Sequence, residues 1–315
     1  MAKRKPTYRV RNWAQYNQSL VQRGSLTLWV SPEVVAGWTA APPAGGRKRG
    51  HPQEYSDLAI ECMATVRAVY HLALRATQGL VQSIFKLMDV TLAVPSYSTV
   101  SRRQVTLNFT PPPRQPGEAL HVVVDSTGVK VFGEGEWKVR QHGVTKRRTW
   151  KKLHLGVDEA TGEILAVSVT DNSVTDATEL PGLLAQIAEP IKQVSGDKAY
   201  DTRRCYDAIR NRGARATIPP RKSAKIWQHA NSKAERLIRD ENLRAIRKSG
   251  RAAWKRACGY HRRSLAETAM SRLKRILGPT ISARSFPGQV AEIKVRCTIL
   301  NKLNQLGTPD SYLVV

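Results

Sequence analysis

The sequence predicts an α/β protein in which a mixed sheet is flanked by helices and a small all-helical domain comes first. Residues 56–89 repeat apolar side chains at the spacing of amphipathic helices, without a strand-like run. After a proline-rich break at 110–117, short β-branched segments follow at 120–125, 150–157 and 164–170. Helical patterns and two further short strands alternate after them, which favours a sheet with helices on its faces over an all-helical protein.

The charge of the chain indicates a polyanionic partner. Among 315 residues, 51 are Lys or Arg and 25 are Asp or Glu, which gives a formal net charge of +26 at pH 7. A charge of this size repels itself unless a polyanion neutralises it, so nucleic acid is the expected partner. A membrane surface is the competing partner, but no stretch approaches the roughly 18 apolar residues that a spanning helix needs.

The cysteines are isolated in the sequence and include no CxxC pair, which argues against a disulfide framework and against structural zinc. They are Cys62, Cys205, Cys258 and Cys297. Residues 2–6 form a basic stretch rather than a secretory signal. We therefore expect a protein of a reducing cytoplasm.

Composition divides the chain into successive regions. Residues 1–53 are a basic and aromatic arm with a Pro/Gly linker, and 54–109 are the helical domain. Residues 118–306 hold the sheet and its helices, and 307–315 are expected to be a loose tail. Within the sheet region, about 220–259 is a basic helical insertion, since Arg221 to Arg275 contain seventeen Lys/Arg against four Asp/Glu.

The helical domain has features of a DNA-reading module. Ser56 is placed to cap its first helix, and Ser96 or Ser98 its last short one. That last helix is expected to expose Thr99, Arg102, Arg103 and Gln104, and polar side chains on the second helix of a helix-turn-helix suit the major groove. Any three-helix bundle has similar spacing, so a purely structural role remains open.

Three carboxylates stand out by their position. Asp125 is expected to end the first strand, Asp197 follows the fourth, and Glu267 lies on a late helix. Strand ends are where an open α/β sheet places its site, and carboxylate oxygens are ligands of Mg²⁺. Asp125 could instead be a turn residue and Asp197 a helix cap. Four other aspartates are expected to have only such structural roles in turns or caps: Asp158, Asp171, Asp176 and Asp201.

The late helix gathers charged groups on one side. Over 260–277 it has good helix formers and no Gly or Pro. At about 100° per residue, Tyr260, Arg263, Glu267 and Lys274 fall on one narrow arc beside an apolar stripe. The ordinary alternative is a solvated face with an Arg263–Glu267 ion pair at i, i+4.

The spacing Tyr260-(2)-Arg263-(3)-Glu267-(6)-Lys274 resembles the Y-(2)-R-(3)-E-(6)-K signature of DDE transposases from bacterial insertion sequences. Val-Val-Val-Asp125-Ser-Thr-Gly128 and Gly-Asp197-Lys-Ala-Tyr-Asp201 are similar to the family-five branch. The resemblance implies an RNase H-like catalytic core with Asp125, Asp197 and Glu267 as catalytic, metal-binding triad. It also implies two Mg²⁺ ions per site, with Mn²⁺ able to substitute.

The resemblance further implies an activity on double-stranded DNA. Water activated by metal would hydrolyse the ends at the terminal inverted repeats, and the freed 3′-hydroxyl would attack target DNA. Tyr260, Arg263 and Lys274 would contact end phosphates, and the 54–109 region would recognise the ends. Catalysis in this family needs assembled subunits, so a homodimer or higher oligomer on DNA is expected, without membrane or small-molecule partners.

Weaker expectations concern further DNA contacts and rival functions. Lys146, Arg147 and Arg148, near the first strands, could hold the flanking or target strand. Trp227 or Trp254 could stack on an unpaired base, although a core role is the stronger expectation for both. An RNase H-fold nuclease would not need the helical domain or the Tyr/Arg/Lys face. A domesticated, inactive DNA-binding regulator would be expected to lose a carboxylate, and none is lost here.

Overall fold

A computed structural model describes residues 7–41, 53–112, 117, 119–132, 150–228 and 236–314. The chain forms two compact units, which we treat separately. The helical unit comprises Met1–Asn108 with Ile299–Val315, and the sheet unit comprises Phe109–Thr298. The expected DNA contacts Lys146, Arg147 and Arg148, the hairpin tip at 133–136 and most of the 39–53 linker lie outside the described residues.

The described strands and helices are numbered in chain order. The strands are β1 (Thr7–Val10), β2 (Leu120–Val131), β3 (Trp150–Asp158), β4 (Ile164–Asp171), β5 (Ile191–Ser195), β6 (Arg215–Thr217), β7 (Thr280–Ile281) and β8 (Ser311–Val314). The helices are α1 (Trp13–Gln22), α2 (Leu26–Trp29), α3 (Pro32–Ala36), α4 (Asp57–Val69), α5 (Leu74–Leu87), α6 (Tyr97–Arg103), α7 (Asp176–Ala185), α8 (Arg203–Asn211), α9 (Ile238–Ser249), α10 (Arg251–Ala257), α11 (Ser264–Leu277) and α12 (Phe286–Leu306).

The sheet unit is built on a mixed sheet, which confirms the predicted α/β class. Its described strands lie in the order β4-β3-β2-β5-β6, and β7 pairs with the end of β2. β3 is antiparallel to both β2 and β4. β5 is parallel to β2, and β6 is parallel to β5. β2 therefore has a neighbour on each side and is the central strand.

The central strand is longer than the sequence predicts. We expected it to end at Asp125 and turn at Ser126-Thr127-Gly128, but β2 continues to Val131. Its antiparallel ladder with β3 extends to Lys130, opposite Trp150. Gly128 does not make a turn; a Cβ there would lie 3.0 Å from the Trp150 ring, so glycine leaves room for that ring. Asp125 consequently sits within a strand rather than at its end.

Helices α7 and α8 cover one face of the sheet. Val122 and Val124 point to this face, because side chains alternate along a strand, and they join a fully buried apolar cluster with Leu180 and Ile209. The predicted caps of these helices are wrong by one residue. Thr175 precedes α7 and Thr202 caps α8, whereas Asp176 and Asp201 were expected in those places.

The basic insertion is helical, as predicted, and is attached to the sheet unit by a buried ion pair. Arg239 of α9 donates Nε–H to Asp201 Oδ1 at 2.8 Å, and both side chains are at most 4% exposed. Arg239 also lies over the Trp227 ring, 3.8 Å from its centroid. Trp254 is buried and donates its indole N–H to Asn242. Trp254 thus has the expected core role, whereas Trp227 is only partly buried and packs against the edge of the apolar cluster.

The helical unit contains the three helices expected from residue 56 onward. Ser56 caps α4 and Ser96 caps α6, and each hydroxyl accepts a backbone N–H three residues on, as predicted. The expected exposure of Gln104 is wrong, since this side chain is buried. Arg103 donates to Asp57 Oδ1 at 2.6 Å, and Arg102 is exposed.

The end of the chain departs from the expected loose tail. β8 pairs antiparallel with β1 within the helical unit, so residues 311–314 are regular structure. Residues 7–38, where we expected a short helix and a strand-like piece, form the strand β1 and the helices α1, α2 and α3. In the part of the chain that the structure describes, no helix combines the length and apolarity needed to cross a bilayer.

We predict that Arg239→Ala lowers the free energy of unfolding by about 3–5 kcal/mol, because it leaves Asp201 buried without its cation. Urea unfolding followed by circular dichroism measures the change. Arg210→Ala is the matched control, since Arg210 pairs with Asp207 at the surface, where the loss is about 0–1 kcal/mol. Equal losses in the two variants would contradict a structural role for the buried pair.

Candidate active site

The three carboxylates singled out in the sequence come from a strand, a strand end and a helix of the sheet unit. Asp125 lies on β2 and points to the face opposite Val124, towards the side where α11 packs. Asp197 follows β5 and caps a short 3₁₀ turn, Lys198–Tyr200, by accepting the N–H of Ala199 at 2.7 Å. Glu267 lies in the first turn of α11.

Arg263 joins two of these carboxylates. Its Nη1 donates to Asp125 Oδ2 at 2.7 Å, and its Nη2 donates to Glu267 Oε1. The i, i+4 ion pair expected as the ordinary alternative for this helix therefore exists, but it extends across to the central strand. Arg263 precedes α11 in a 3₁₀ turn, Tyr260–Arg263, so the predicted single helix is in fact a turn followed by a helix.

Asp197 lies close enough to Asp125 to change the pKa of the Asp125 carboxyl. Burial raises the pKa of the Asp125 carboxyl above its ordinary value, and the charges of Asp197 and Glu267 raise it further. The backbone N–H of Ser126, at 2.9 Å, and the Arg263 guanidinium lower it in part. A carboxyl pKa raised by neighbouring carboxylates is typical of a carboxylate that shares its site with others.

Lys274 and Tyr260 complete the face that the sequence spacing predicted. Lys274 donates Nζ–H to Thr127 Oγ1 at 2.6 Å, two residues beyond Asp125 on β2. Burial lowers the pKa of Lys274 and raises that of the Tyr260 hydroxyl. The Tyr260 ring lies 4.9 Å from Lys255 Nζ and 6.0 Å from the Trp254 ring.

An open cavity of about 650 Å³ lies beside Asp197, Tyr260 and Arg263. Cations dominate the rest of its lining. They are Lys198, Arg221, Lys222, Arg251 and Lys255. The sequence reasoning did not single out these five residues; only the general excess of basic residues in the insertion pointed to them. The cavity is suited to a polyanion, since it offers several cations around one carboxylate.

The residues present fit a divalent cation by their chemistry, because three carboxylates supply the hard oxygen ligands that Mg²⁺ prefers. Among the described residues, however, no three His, Cys, Asp or Glu side chains are already arranged to hold a metal ion. Arg263 instead supplies the positive charge between Asp125 and Glu267. The expected contacts Arg102 and Arg103 belong to the helical unit.

Comparison with known families decides the class of the protein. A family model described as "Transposase DDE domain" matches residues 116–302, more than half of the chain, and another with that description matches residues 21–134. The chain belongs to the DDE transposase family. It is a polynucleotidyl transferase that acts on DNA ends, which confirms the predicted activity and enzyme class.

DDE transposases generally use divalent metal ions, in agreement with the oxygen-rich chemistry of the site. Among solved structures, the chain is similar to one titled "Cryo-EM structure of piggyBac transposase synaptic complex with hairpin DNA". The match covers 90% of this chain and 73% of that chain, with 8% sequence identity and a TM-score of 0.37. At this level of similarity we draw nothing further from it.

Gly196→Ala is predicted to destabilise this transposase by about 1–3 kcal/mol through overpacking. A Cβ at Gly196 would lie 2.8 Å from the Tyr200 ring and 3.1 Å from Val124, which would displace the turn that carries Asp197. Thermal unfolding measures the loss. Gly182→Ala is the control, because its Cβ would contact nothing within 4 Å in α7 and alanine favours a helix. Equal stability of the two variants would contradict the close packing at Gly196.

Proposed function

We propose that the chain is the transposase of a bacterial insertion sequence of the family-five type. It binds the terminal inverted repeats, cleaves at the transposon ends by hydrolysis and joins the 3′-hydroxyl to target DNA. The observation that carries this proposal is the convergence of Asp125, Glu267 and Asp197. The Arg263 guanidinium pairs with both Asp125 and Glu267. The charge of Asp197 raises the pKa of the Asp125 carboxyl.

The proposed catalytic core is RNase H-like. The strand order β4-β3-β2-β5-β6 supports it, with an antiparallel β2-β3-β4 ribbon and parallel β5 and β6 on the other side of β2. In this arrangement the central strand and its parallel neighbour deliver Asp125 and Asp197 side by side. Glu267 arrives on a helix that packs over β2 and β3.

Asp125, Asp197 and Glu267 would hold two Mg²⁺ ions, with Mn²⁺ able to substitute. Such ions would supply the Lewis acidity and positive charge that displacement at phosphorus requires. The protein side chains then contribute position and charge. The burial of Asp125 and its central place in the sheet hold one ligand rigidly, whereas Glu267, about half exposed, can adjust.

The basic groups around the carboxylates are proposed to bind end phosphates. Tyr260, Arg263 and Lys274 line one side, and the cations of the neighbouring cavity extend the surface. Charge-assisted hydrogen bonds from arginine to phosphate suit this purpose, since guanidinium N–H groups can bind two phosphate oxygens at once. Arg263 would then exchange its carboxylate partners for phosphate when DNA and metal bind.

Further partners follow from the same proposal. The helical unit would recognise the ends, with exposed Arg102 as a contact and Arg103 partly engaged with Asp57. Lys146, Arg147 and Arg148 would contact the flanking or target strand. The active form would be a homodimer or higher oligomer on double-stranded DNA, in the bacterial cytoplasm near the nucleoid.

We expect Asp125→Asn, Asp197→Asn and Glu267→Gln each to reduce strand cleavage by about 10²–10³-fold or more, because each keeps the shape and removes a ligand charge. The assay is Mg²⁺-dependent nicking of a labelled duplex that carries the element's own inverted repeat. Affinity for that duplex should be retained.

Asp207→Asn is the control for these variants, because Asp207 is an exposed carboxylate of α8 that pairs with nearby Arg210. Full activity of Glu267→Gln would refute the triad. Repeat-specific binding without cleavage by the unchanged protein would indicate a regulator. Cleavage without any dependence on the repeat would indicate a nuclease.

Arg263→Ala should change affinity for DNA and for metal in opposite directions. Loss of a phosphate contact weakens end binding and lowers the slope of log affinity against log salt by about 1. Loss of the cation between two carboxylates tightens Mn²⁺ binding in the absence of DNA. Fluorescence anisotropy at several salt concentrations and electron paramagnetic resonance of free Mn²⁺ give the two values.

Arg262→Ala is the matched control for the metal measurement, since Arg262 pairs with Glu159 instead of the three carboxylates. It should leave Mn²⁺ affinity unchanged. Equal Mn²⁺ affinity of Arg263→Ala and the unchanged protein would mean that the Arg263 charge does not weaken metal binding at the carboxylates.

A further inference from the structure

On the face of the sheet opposite Asp125, three buried polar atoms have no hydrogen-bond partner among the described residues. They are Nδ1 of His154, Oδ1 of Asp176 and the hydroxyl of Tyr200. A buried polar group without a hydrogen bond costs about 1–3 kcal/mol. The three atoms lie on neighbouring elements, and Asp176 Oδ1 has an ion pair but no hydrogen bond, so one shared partner would satisfy all three.

His154 and Asp176 face one another across the start of α7. His154 lies on β3 opposite Ser126, fully buried, and its Nε2 is 2.9 Å from Thr170 Oγ1. Its Nδ1 is 3.5 Å from Asp176 Oδ1, longer than a normal hydrogen bond. Lys152 Nζ lies 3.0 Å from the same oxygen as an ion pair. The cluster thus already contains a cation, which favours a neutral ligand over a metal ion.

Tyr200 links this cluster to the candidate active site. Its fully buried ring packs against Gly196 and belongs to the same apolar cluster as Val124; these two residues directly precede Asp197 and Asp125. The 3₁₀ turn that ends at Tyr200 packs against α7, whose first residue is Asp176. The ring therefore fixes the spacing of the two strands at the point where each delivers a carboxylate.

The electrostatics agree with this placement. The pKa of the Tyr200 hydroxyl lies well above its ordinary value. Burial is the largest cause, and the charges of Asp176, Asp125 and Asp197 raise the pKa further. The hydroxyl is consequently protonated at neutral pH and available as a hydrogen-bond donor. Asp176 is the first of these charges, in agreement with the packing of the Tyr200 turn against α7.

We propose that His154, Asp176 and Tyr200 enclose one buried water molecule, and that Tyr200, held by this water, is a positioning residue for Asp125 and Asp197. A buried water is stable when two to four polar groups bind it, and the cluster offers three. The Tyr200 hydroxyl donates to the water, the water donates to the Asp176 carboxylate, and its second proton or lone pair meets His154 Nδ1. The positioning role rests on the proposed function of the two carboxylates.

Tyr200→Phe tests the inference, because it removes only the hydroxyl. If the hydroxyl binds water, the variant leaves the water with one partner fewer and the melting temperature falls by several degrees. The displaced ring also shifts the carboxylates, so Mn²⁺ affinity, measured by electron paramagnetic resonance, falls several-fold. The Mg²⁺ concentration for half-maximal cleavage rises to match, while affinity for the end duplex is unchanged.

Tyr206→Phe is the matched control. The Tyr206 hydroxyl is also buried in the sheet unit but donates to Ile218 O, at 3.4 Å. Its loss lowers the melting temperature without changing Mn²⁺ affinity. Asp176→Asn supplies a second test of the cluster, and it should lower Mn²⁺ affinity as Tyr200→Phe does although Asp176 is not a proposed ligand.

An unchanged or raised melting temperature for Tyr200→Phe would overturn the water site, since deletion of an unpartnered hydroxyl is neutral or stabilising. A lower melting temperature with unchanged Mn²⁺ affinity would overturn the positioning role. Failure of the proposed function looks different: the unchanged protein itself would bind no Mn²⁺, and the melting temperatures would still decide whether the water site exists.

Discussion

The repulsion among carboxylates on one side of the sheet is the constraint on which the rest of the site depends. Burial raises the pKa of the Asp125 carboxyl and the charges of Asp197 and Glu267 raise it further, so a nearby cation stabilises the ionised form of Asp125. Arg263 supplies that charge by contacting both Asp125 and Glu267. The cations of the neighbouring cavity and the divalent ions that the family uses also offset the negative charge of these carboxylates.

The sequence contained enough information for the main architecture, because local patterns determined it. β-Branched runs predicted β3, β4 and β5, helical spacing predicted α4 and the insertion helices, and Ser56 and Ser96 cap as expected. The Tyr/Arg/Glu/Lys spacing placed Arg263 and Glu267 on one side of a helix. It could not reveal that the same arginine contacts Asp125, since that contact joins residues far apart in the chain.

The features missed by sequence reasoning depend on tertiary contacts. Gly128 resembles a turn residue, but pairing with β3 carries β2 through it. Asp176 resembles a helix cap, but the fold brings it to Lys152 and His154. Gln104 resembles an exposed polar residue of a reading helix and is buried instead. In each case the local signal was compatible with two environments, and only packing selected one.

Asp125 and Arg263 contact one another although they are far apart in the sequence, so the order of synthesis limits when they can meet. These partners are 138 residues apart in sequence, and the chain between them includes the rest of the described sheet except β7, together with the insertion. A contact of such large sequence separation cannot form during synthesis until the second partner has left the ribosome. A ribosome-bound chain that has emerged only as far as β6 carries Asp125 and Asp197 but not Glu267. The three carboxylates of the proposed catalytic centre therefore come together only when translation has passed the insertion, and partial products would lack the third.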